Sequence, residues 1–269
     1  TVLGGGTGLA TLLSGLKTFT PRLTAIVTVT DDGGSSGRLR REYHVLPPGD
    51  IRNCLVALAD EETLMSRLFQ YRFGSANGRA RGSLAGHSFG NLFIMAMAEL
   101  AGGFDRGVRE ASKVLAIRGR VLPSTLANVT IGAELENGRR VEGELRIGAV
   151  RSPIRRVYLR PARCAAAPDV IDAIESADLL ALGPGSLYTS ILPNLMVPGV
   201  AAALRRTRAL RLFVINVMTQ PGETDHYSAG DHLDALLRQI GPGLVDGVVV
   251  NTQPVPAALS ADGKGVTLT

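Results

Sequence analysis

Leu9, Leu12, Leu13 and Leu16 recur at the i, i+3, i+4, i+7 spacing of one helical face. They follow directly on a short apolar run, residues 1–3, and the turn Gly4-Gly5-Gly6-Thr7-Gly8. The same succession of apolar strand, small-residue turn and amphipathic helix returns along the chain. Residues 23–30 are apolar and β-branched, the mark of a buried strand, and stop at Asp31-Asp32-Gly33-Gly34. Pro47-Pro48-Gly49-Asp50 then opens a helix with Ile51, Leu55 and Leu58 on one face and Asp50 as its N-cap. Residues 74–86 are rich in Gly, Arg and Ser and read as a mobile loop. From His87 a helix turns Phe89, Leu92, Phe93, Ala96 and Leu100 inward.

Between Val121 and Ile147 the period falls towards two, and Glu136-Asn137-Gly138 suits a hairpin turn. A small antiparallel excursion is therefore predicted around residues 118–160. The strand–helix rhythm then resumes. Residues 179–182 form a strand ending in Gly183-Pro184-Gly185-Ser186; a helix over 200–208 leads to a strand over 210–217, ending near Asn216. Asp231 caps a helix carrying Leu233, Leu236, Leu237 and Ile240, and a last strand over 245–250 closes at Asn251. Strands alternating with helices imply parallel pairing. The pattern predicts a single α/β domain over residues 1–269, Rossmann-like, with a mostly parallel sheet and helices on both faces. The chain opens on the tail of a strand without a Met, so native residues are expected before Thr1.

Composition narrows the function classes. The net charge is +5, nearly all from Arg, since Lys occurs only at positions 17, 113 and 264. Arg suits bidentate contacts to phosphate or carboxylate. The basic clusters are dispersed and read as solvated faces, and aromatic residues make up only 4% with no Trp. Both points argue against a nucleic-acid partner, whose bases need stacking rings. Cys54 and Cys164 are the only cysteines, without CxxC spacing, which suggests neither zinc nor a disulfide framework. His44, His87, His226 and His232 lack metal spacing and are read as structural. No apolar run reaches membrane-spanning length and no signal peptide is visible, so the cytoplasm is expected.

Five strand ends carry Gly, Asp, Asn or Ser: residues 4–8, 31–36, 183–186, Asn216 and Asn251. In an open parallel sheet these ends share one edge, where ligands bind at the topological switch point. The glycine loop, residues 4–8, suits an anion, because backbone amides and the following helix's positive end converge there. A tight strand–helix turn is the alternative. Its register fits neither a GxGxxG dinucleotide fingerprint nor a Walker loop. Asp31 and Asp32 face opposite ways on a strand, so at most one easily meets the ligand, at a ribose hydroxyl or at Mg²⁺ held with phosphates; the alternative is a turn acid bonding its own backbone. Residues 33–37 are a second anion nest or a flexible lid. Asp50 becomes a second metal ligand, and Asn53 a contact, only if their loop folds over the site. Gly183, Gly185 and Ser186 offer amides and a hydroxyl to a diphosphate, or form an ordinary turn.

The segments GGGTGLATLLSGLK, TVTDDGGSSGRLR, PPGDIRNCLVALA, GHSFGNLFI, ADLLALGPGSLYTSILPNLMVPGV and NVMTQPGETDHYSAGDH resemble those of the YvcK family, the gluconeogenesis factors, and more widely CofD, the 2-phospho-L-lactate transferase. The resemblance implies a CofD-like fold and a cytoplasmic bacterial protein without established catalysis. It also implies binding of a UDP-sugar, UDP-N-acetylglucosamine in particular, and a role in cell shape and envelope metabolism with envelope regulatory partners. The binding positions it carries over are Gly4, Gly5, Gly6, Thr7, Gly8, Asp32, Asn216 and the 183–186 turn. Acids at positions resembling Asp32 and Asp50 hold a divalent metal, Mg²⁺, in CofD-type transferases. CofD's deazaflavin-binding segments are not recognisable, which favours nucleotide binding over lactyl-phosphate transfer. Three readings follow: a UDP-sugar sensor, a Mg²⁺-dependent transferase from a nucleotide, and an NAD-binding protein. Whether the chain forms a homo-oligomer is left open.

Overall fold

The computed structural model describes residues 1–60, 64–74 and 82–253. β1 (Val2–Gly4) feeds α1 (Gly6–Leu16), and β2 (Thr24–Val27) leads into α2 (Gly34–Tyr43), α3 (Gly49–Leu58), α4 (Leu64–Gln70), α5 (Phe89–Leu100) and α6 (Phe104–Val114). β3 (Arg120–Pro123) follows, then an insertion of β4 (Thr130–Leu135), β5 (Arg140–Glu142), α7 (Glu144–Ala149) and β6 (Ile154–Arg160). The chain resumes with α8 (Val170–Glu175), β7 (Leu179–Leu182), a π-helical turn (Leu187–Ile191), α9 (Leu192–Met196), α10 (Val200–Arg206), β8 (Leu210–Val214), α11 (Ala229–Ile240) and β9 (Gly247–Val249).

Six strands pair in the order β3-β2-β1-β7-β8-β9, all parallel. The chain therefore builds outward from β1 to β3, returns to the middle, and builds outward again from β7 to β9. β1 and β7 are neighbours where the direction of growth reverses, which is the switch point of such a sheet. Side-chain alternation buries both faces. Val2, Ala25, Val27 and Ala181 pack with Leu9, Leu13, Ile51 and Leu55 on one side. Leu3, Ile26, Leu180 and Leu182 pack with Ile174, Leu192, Leu204 and Leu236 on the other, together with the inward residues of the insertion. Each such fully buried Leu or Ile contributes roughly 1.5–3 kcal/mol over an exposed one.

Several expectations are corrected. Residues 33–37 are neither nest nor lid: α2 begins at Gly34, and burial of Ser35, Ser36 and Leu39 outweighs the low helix propensity of Gly and Ser. Asp50 does not cap α3; Pro48 holds that position and Asp50 lies in the first turn. Asp231 is not a cap either. Ser228 is the N-cap of α11, and Asp231 answers it three residues on in a reciprocal capping box. β3 belongs to the parallel sheet, so the antiparallel excursion proper is β5-β4-β6, with Gly138 at φ 79 in its hairpin turn. Most of the expected mobile loop, residues 75–81, lies outside the described residues. No single helix among the described residues is long and apolar enough to cross a membrane.

Candidate functional site

At the switch point the glycine loop and the 183–186 turn are in backbone contact. A Cβ added to Gly8 would stand 3.1 Å from the Pro184 carbonyl oxygen, and one on Gly185 (φ +156) would stand 3.1 Å from that of Gly5. Only glycine permits this approach. Gly5 is the extended N-cap of α1 and brings no side chain to it, so the helix presents its first amides and positive pole at the crevice. Asn216, just past β8, spends its amide on the neighbouring turn. Gly185 N–H donates to its Oδ1 at 2.9 Å, and its Nδ2 donates to the Gly185 carbonyl at 2.9 Å. Ser186 is likewise committed. Its Oγ accepts from Thr189 N–H (3.0 Å) and Thr189 Oγ1 (2.8 Å) and donates to the Glu223 carboxylate. Asn216 and Ser186 therefore shape the turn that borders the crevice.

The acids are arranged differently from the expected pairing. Asp32 lies against the first turn of α7, beside Glu144, and its Oδ1 accepts the Leu145 N–H at 3.0 Å. Asp31 accepts Gly33 N–H at 2.8 Å with one oxygen, and its other oxygen would be 3.1 Å from a Cβ on Gly49 at the start of α3. Asp50 lies under the glycine loop, with the Gly6 amide acting to lower its pKa, and Oδ2 would be 2.8 Å from a Cβ on Gly5. Asp31, not Asp32, is thus the neighbour of Asp50. β2 ends at Val27, so the loop beyond it, not strand alternation, sets Asp31 against α3 and Asp32 against α7.

Two further acids escaped the sequence reading. Glu144 opens α7, and Glu223 follows β8 in the 216–225 segment. Burial raises Asp50 to about 6 against the pull of the Gly6 amide, with Asp31 adding to the rise. Burial, followed by the charges of Asp31, Asp50, Glu223 and Asp32, raises Glu144 to about 9. Burial raises Glu223 to about 7, opposed by the hydroxyls of Ser186 and Thr189. Among the described residues no group of three or more His, Cys, Asp or Glu side chains has the geometry to hold a metal ion. One oxygen of Asp32 is engaged by α7, so the expected Asp32–Asp50 pair alone offers a cation few free ligands. Amides at a helix N-terminus accommodate phosphate, while carboxylates beside them accept hydrogen bonds from hydroxyls. The crevice combines the two.

Thr7 and Asn53 stand at the edge of a groove of about 410 Å³ that runs between α1, α3 and α4, lined also by Thr11, Ser14 and Arg67. Asn53 Oδ1 accepts from Arg52 at 2.7 Å. His87, expected to be structural, ties α5 to α2. Arg38 Nε donates to its Nε2 at 3.0 Å, so the ring is neutral and its Nδ1–H donates to Ser35 Oγ at 3.0 Å. Burial and the adjacent Arg38 both hold its pKa below the ordinary value.

Residues 1–265 match the family described as 2-phospho-L-lactate transferase CofD. The gluconeogenesis factor of Bacillus subtilis is 51% identical over 255 residues, covering 95% of this chain and 79% of the relative. That of Halalkalibacterium halodurans is 49% identical over 260 residues, covering 97% and 79%. A Nostoc sp. relative is 54% identical over 260 residues, or 96% of this chain, but the chain spans only 56% of its length. A crystal structure of a UPF0052-family protein from Bacillus halodurans superposes with a TM-score of 0.92 at 48% identity, over 97% of this chain and 82% of that one.

Proposed function

The chain belongs to the CofD family, among the gluconeogenesis factors, and from that premise we propose that it binds a UDP-sugar, UDP-N-acetylglucosamine in particular, at the β1–β7 crevice. In this reading it is a cytoplasmic sensor that relays the supply of envelope precursors to regulatory proteins of the cell envelope and so influences cell shape. The observation that carries it is the contact of two glycine turns under the positive end of α1, with carboxylates beside them. The amides suit a diphosphate, and the acids suit ribose and sugar hydroxyls. Titration calorimetry with UDP-N-acetylglucosamine tests the reading, with saturable heat expected. Folded protein that gives no heat at millimolar ligand ends it. Competition with NAD separates the dinucleotide alternative, since the UDP-sugar is expected to displace NAD and not the reverse. The transferase alternative rests on the CofD likeness, and its cation pair is the weaker part, because Asp32 is bonded to α7.

A further inference from the structure

Between β7 and α9 the backbone widens into the π-helical turn Leu187–Ile191, in which Ser190 N–H and Ile191 N–H both donate to the Ser186 carbonyl, at 3.0 and 2.9 Å. Such a turn accommodates one residue more than an α-helical one and redirects the side chains that follow it. Here it turns Thr189 and Ser190 both inward, leaving them 1% and 5% exposed. The surrounding hydroxyls are committed to one another. Thr28 bonds Thr30 at 3.0 Å, Thr30 donates to the Thr189 carbonyl at 3.3 Å, and Thr189 donates to Ser186 at 2.8 Å. Ser190 Oγ is the exception: it makes no hydrogen bond among the described residues, and although the residue is only 5% exposed the oxygen itself is not sealed off, so the hydroxyl faces the crevice. It lies 3.3 Å from the position a Cβ on Gly5 would take, and Ser190 Cβ lies 3.4 Å from that of Gly185. The hydroxyl thus stands where the two glycine turns meet, beside the open N-terminus of α1. Asn194 fixes it there, donating both to the Ser190 carbonyl (2.8 Å) and to the Gly4 carbonyl at the end of β1 (2.9 Å).

We propose that Ser190 is a ligand contact whose Oγ–H donates to a phosphate oxygen of the nucleotide held by the glycine loop. A hydroxyl that no protein group engages, held on an almost wholly enclosed residue at the meeting of two glycine turns, is a preplaced donor for a ligand. Asp50 Oδ2 borders the same Gly5 position from the other side, so the hydroxyl supplies a donor where a lone carboxylate would repel an anion. The assignment rests on the nucleotide reading above and specifies its phosphate as the group recognised.

The test compares dissociation constants of wild type, Ser190→Ala and Ser190→Cys for UDP and for UDP-N-acetylglucosamine, with circular dichroism melts of each protein. A hydrogen bond to a charged group is lost in both variants, so a weakening of about tenfold is expected for each ligand, at nearly unchanged melting temperature. Ser190→Cys keeps the volume and removes only the strong donor, so it answers for a Ser190→Ala protein that folds poorly. Wild-type affinity in both variants overturns the assignment, and so does a loss confined to the sugar-bearing ligand. A wild type that binds neither ligand removes the nucleotide reading itself, and this contact with it.

Discussion

The crevice at the carboxyl edge of the parallel sheet and the outer face of the antiparallel insertion both centre on carboxylates, and they treat them in opposite ways. On the insertion, Glu134 lies under Arg156 (2.9 Å), Arg155 (3.3 Å) and Arg140 (3.5 Å), and the bond from Arg156 foremost holds its carboxyl below the ordinary range. In the crevice, Asp31, Asp50, Glu144 and Glu223 crowd together, and three of them are raised, to about 6, 9 and 7. Paired charge serves the fold. Crowded like charge works against it and is tolerated where a ligand uses it.

The comparison is broken most sharply at its glycines. Gly185→Ala would push a methyl into the Gly5 carbonyl from a backbone at φ +156, so ligand binding is expected to fall by about a hundredfold or more, with a stability loss of about 1–3 kcal/mol. Calorimetry and urea melts measure the two effects. Retained affinity would show that the two turns can part without harm to the site.

The next effect concerns Glu144. Its folded-state value of about 9 lies above the ordinary 4.5, so the folded chain holds more protons than the unfolded one between those limits. Stability contributed by this group therefore falls as pH rises through that window. Glu144→Gln is expected to raise the melting temperature at pH 8 by about 3 °C or more, with the gain vanishing near pH 4. A gain independent of pH would refute the electrostatic cause.

The third effect concerns Asp50. In the proposed complex a phosphate near Gly5 would raise this carboxyl further above about 6, so binding would take up a proton. Affinity for UDP-N-acetylglucosamine is expected to strengthen severalfold as pH falls from 7.5 to 6, and Asp50→Asn is expected to flatten that slope. Calorimetry in buffers of different ionisation enthalpy counts the proton. Weaker binding at lower pH would reverse the role and require an ionised Asp50.

The smallest effect belongs to the insertion. Glu134 is depressed, so its contribution is present above its ordinary 4.5 and is lost as pH falls through its lower folded value. Its three arginines are largely exposed, which weakens each pair by solvent and salt. Glu134→Gln is expected to lower the melting temperature by no more than about 2 °C, and less in high salt. Thermal scans at two salt concentrations suffice; the sign of the change is opposite to that of Glu144→Gln.

Signals confined to neighbouring residues were readable in the sequence. The glycine loop, the 183–186 turn and the apolar strands before them announce themselves through backbone freedom and periodicity, and the alternating rhythm implied the parallel sheet. Arrangements decided at long range were not. Which of Asp31 and Asp32 meets α3 and which meets α7 is decided by the loop after β2, which ends at Val27, and an apolar run over 23–30 does not display that. Glu144 reaches the site from the insertion and Glu223 from a loop beyond β8, so neither stands near a recognisable motif. Ser190 is placed by a π-helical turn that leaves no mark in hydrophobic spacing. In α2, Ser35, Ser36 and Gly37, which suggested a loop, are buried, Ser36 against Gly49 of α3 and Asn91 of α5, and tertiary packing overrode their local preference.

The bond from Leu145 to Asp32 gives the chain a strict ruler. Adding or deleting one residue between the end of β2 and Asp32 would shift both aspartates relative to the partners they now meet, Gly49 and Leu145. The carboxylate beside Gly49 would then be displaced, and the first turn of α7 would lose its acceptor. Homologues of altered length are therefore expected to take up their differences in the loops, and to leave the run from Thr24 to Asp32 unchanged in count.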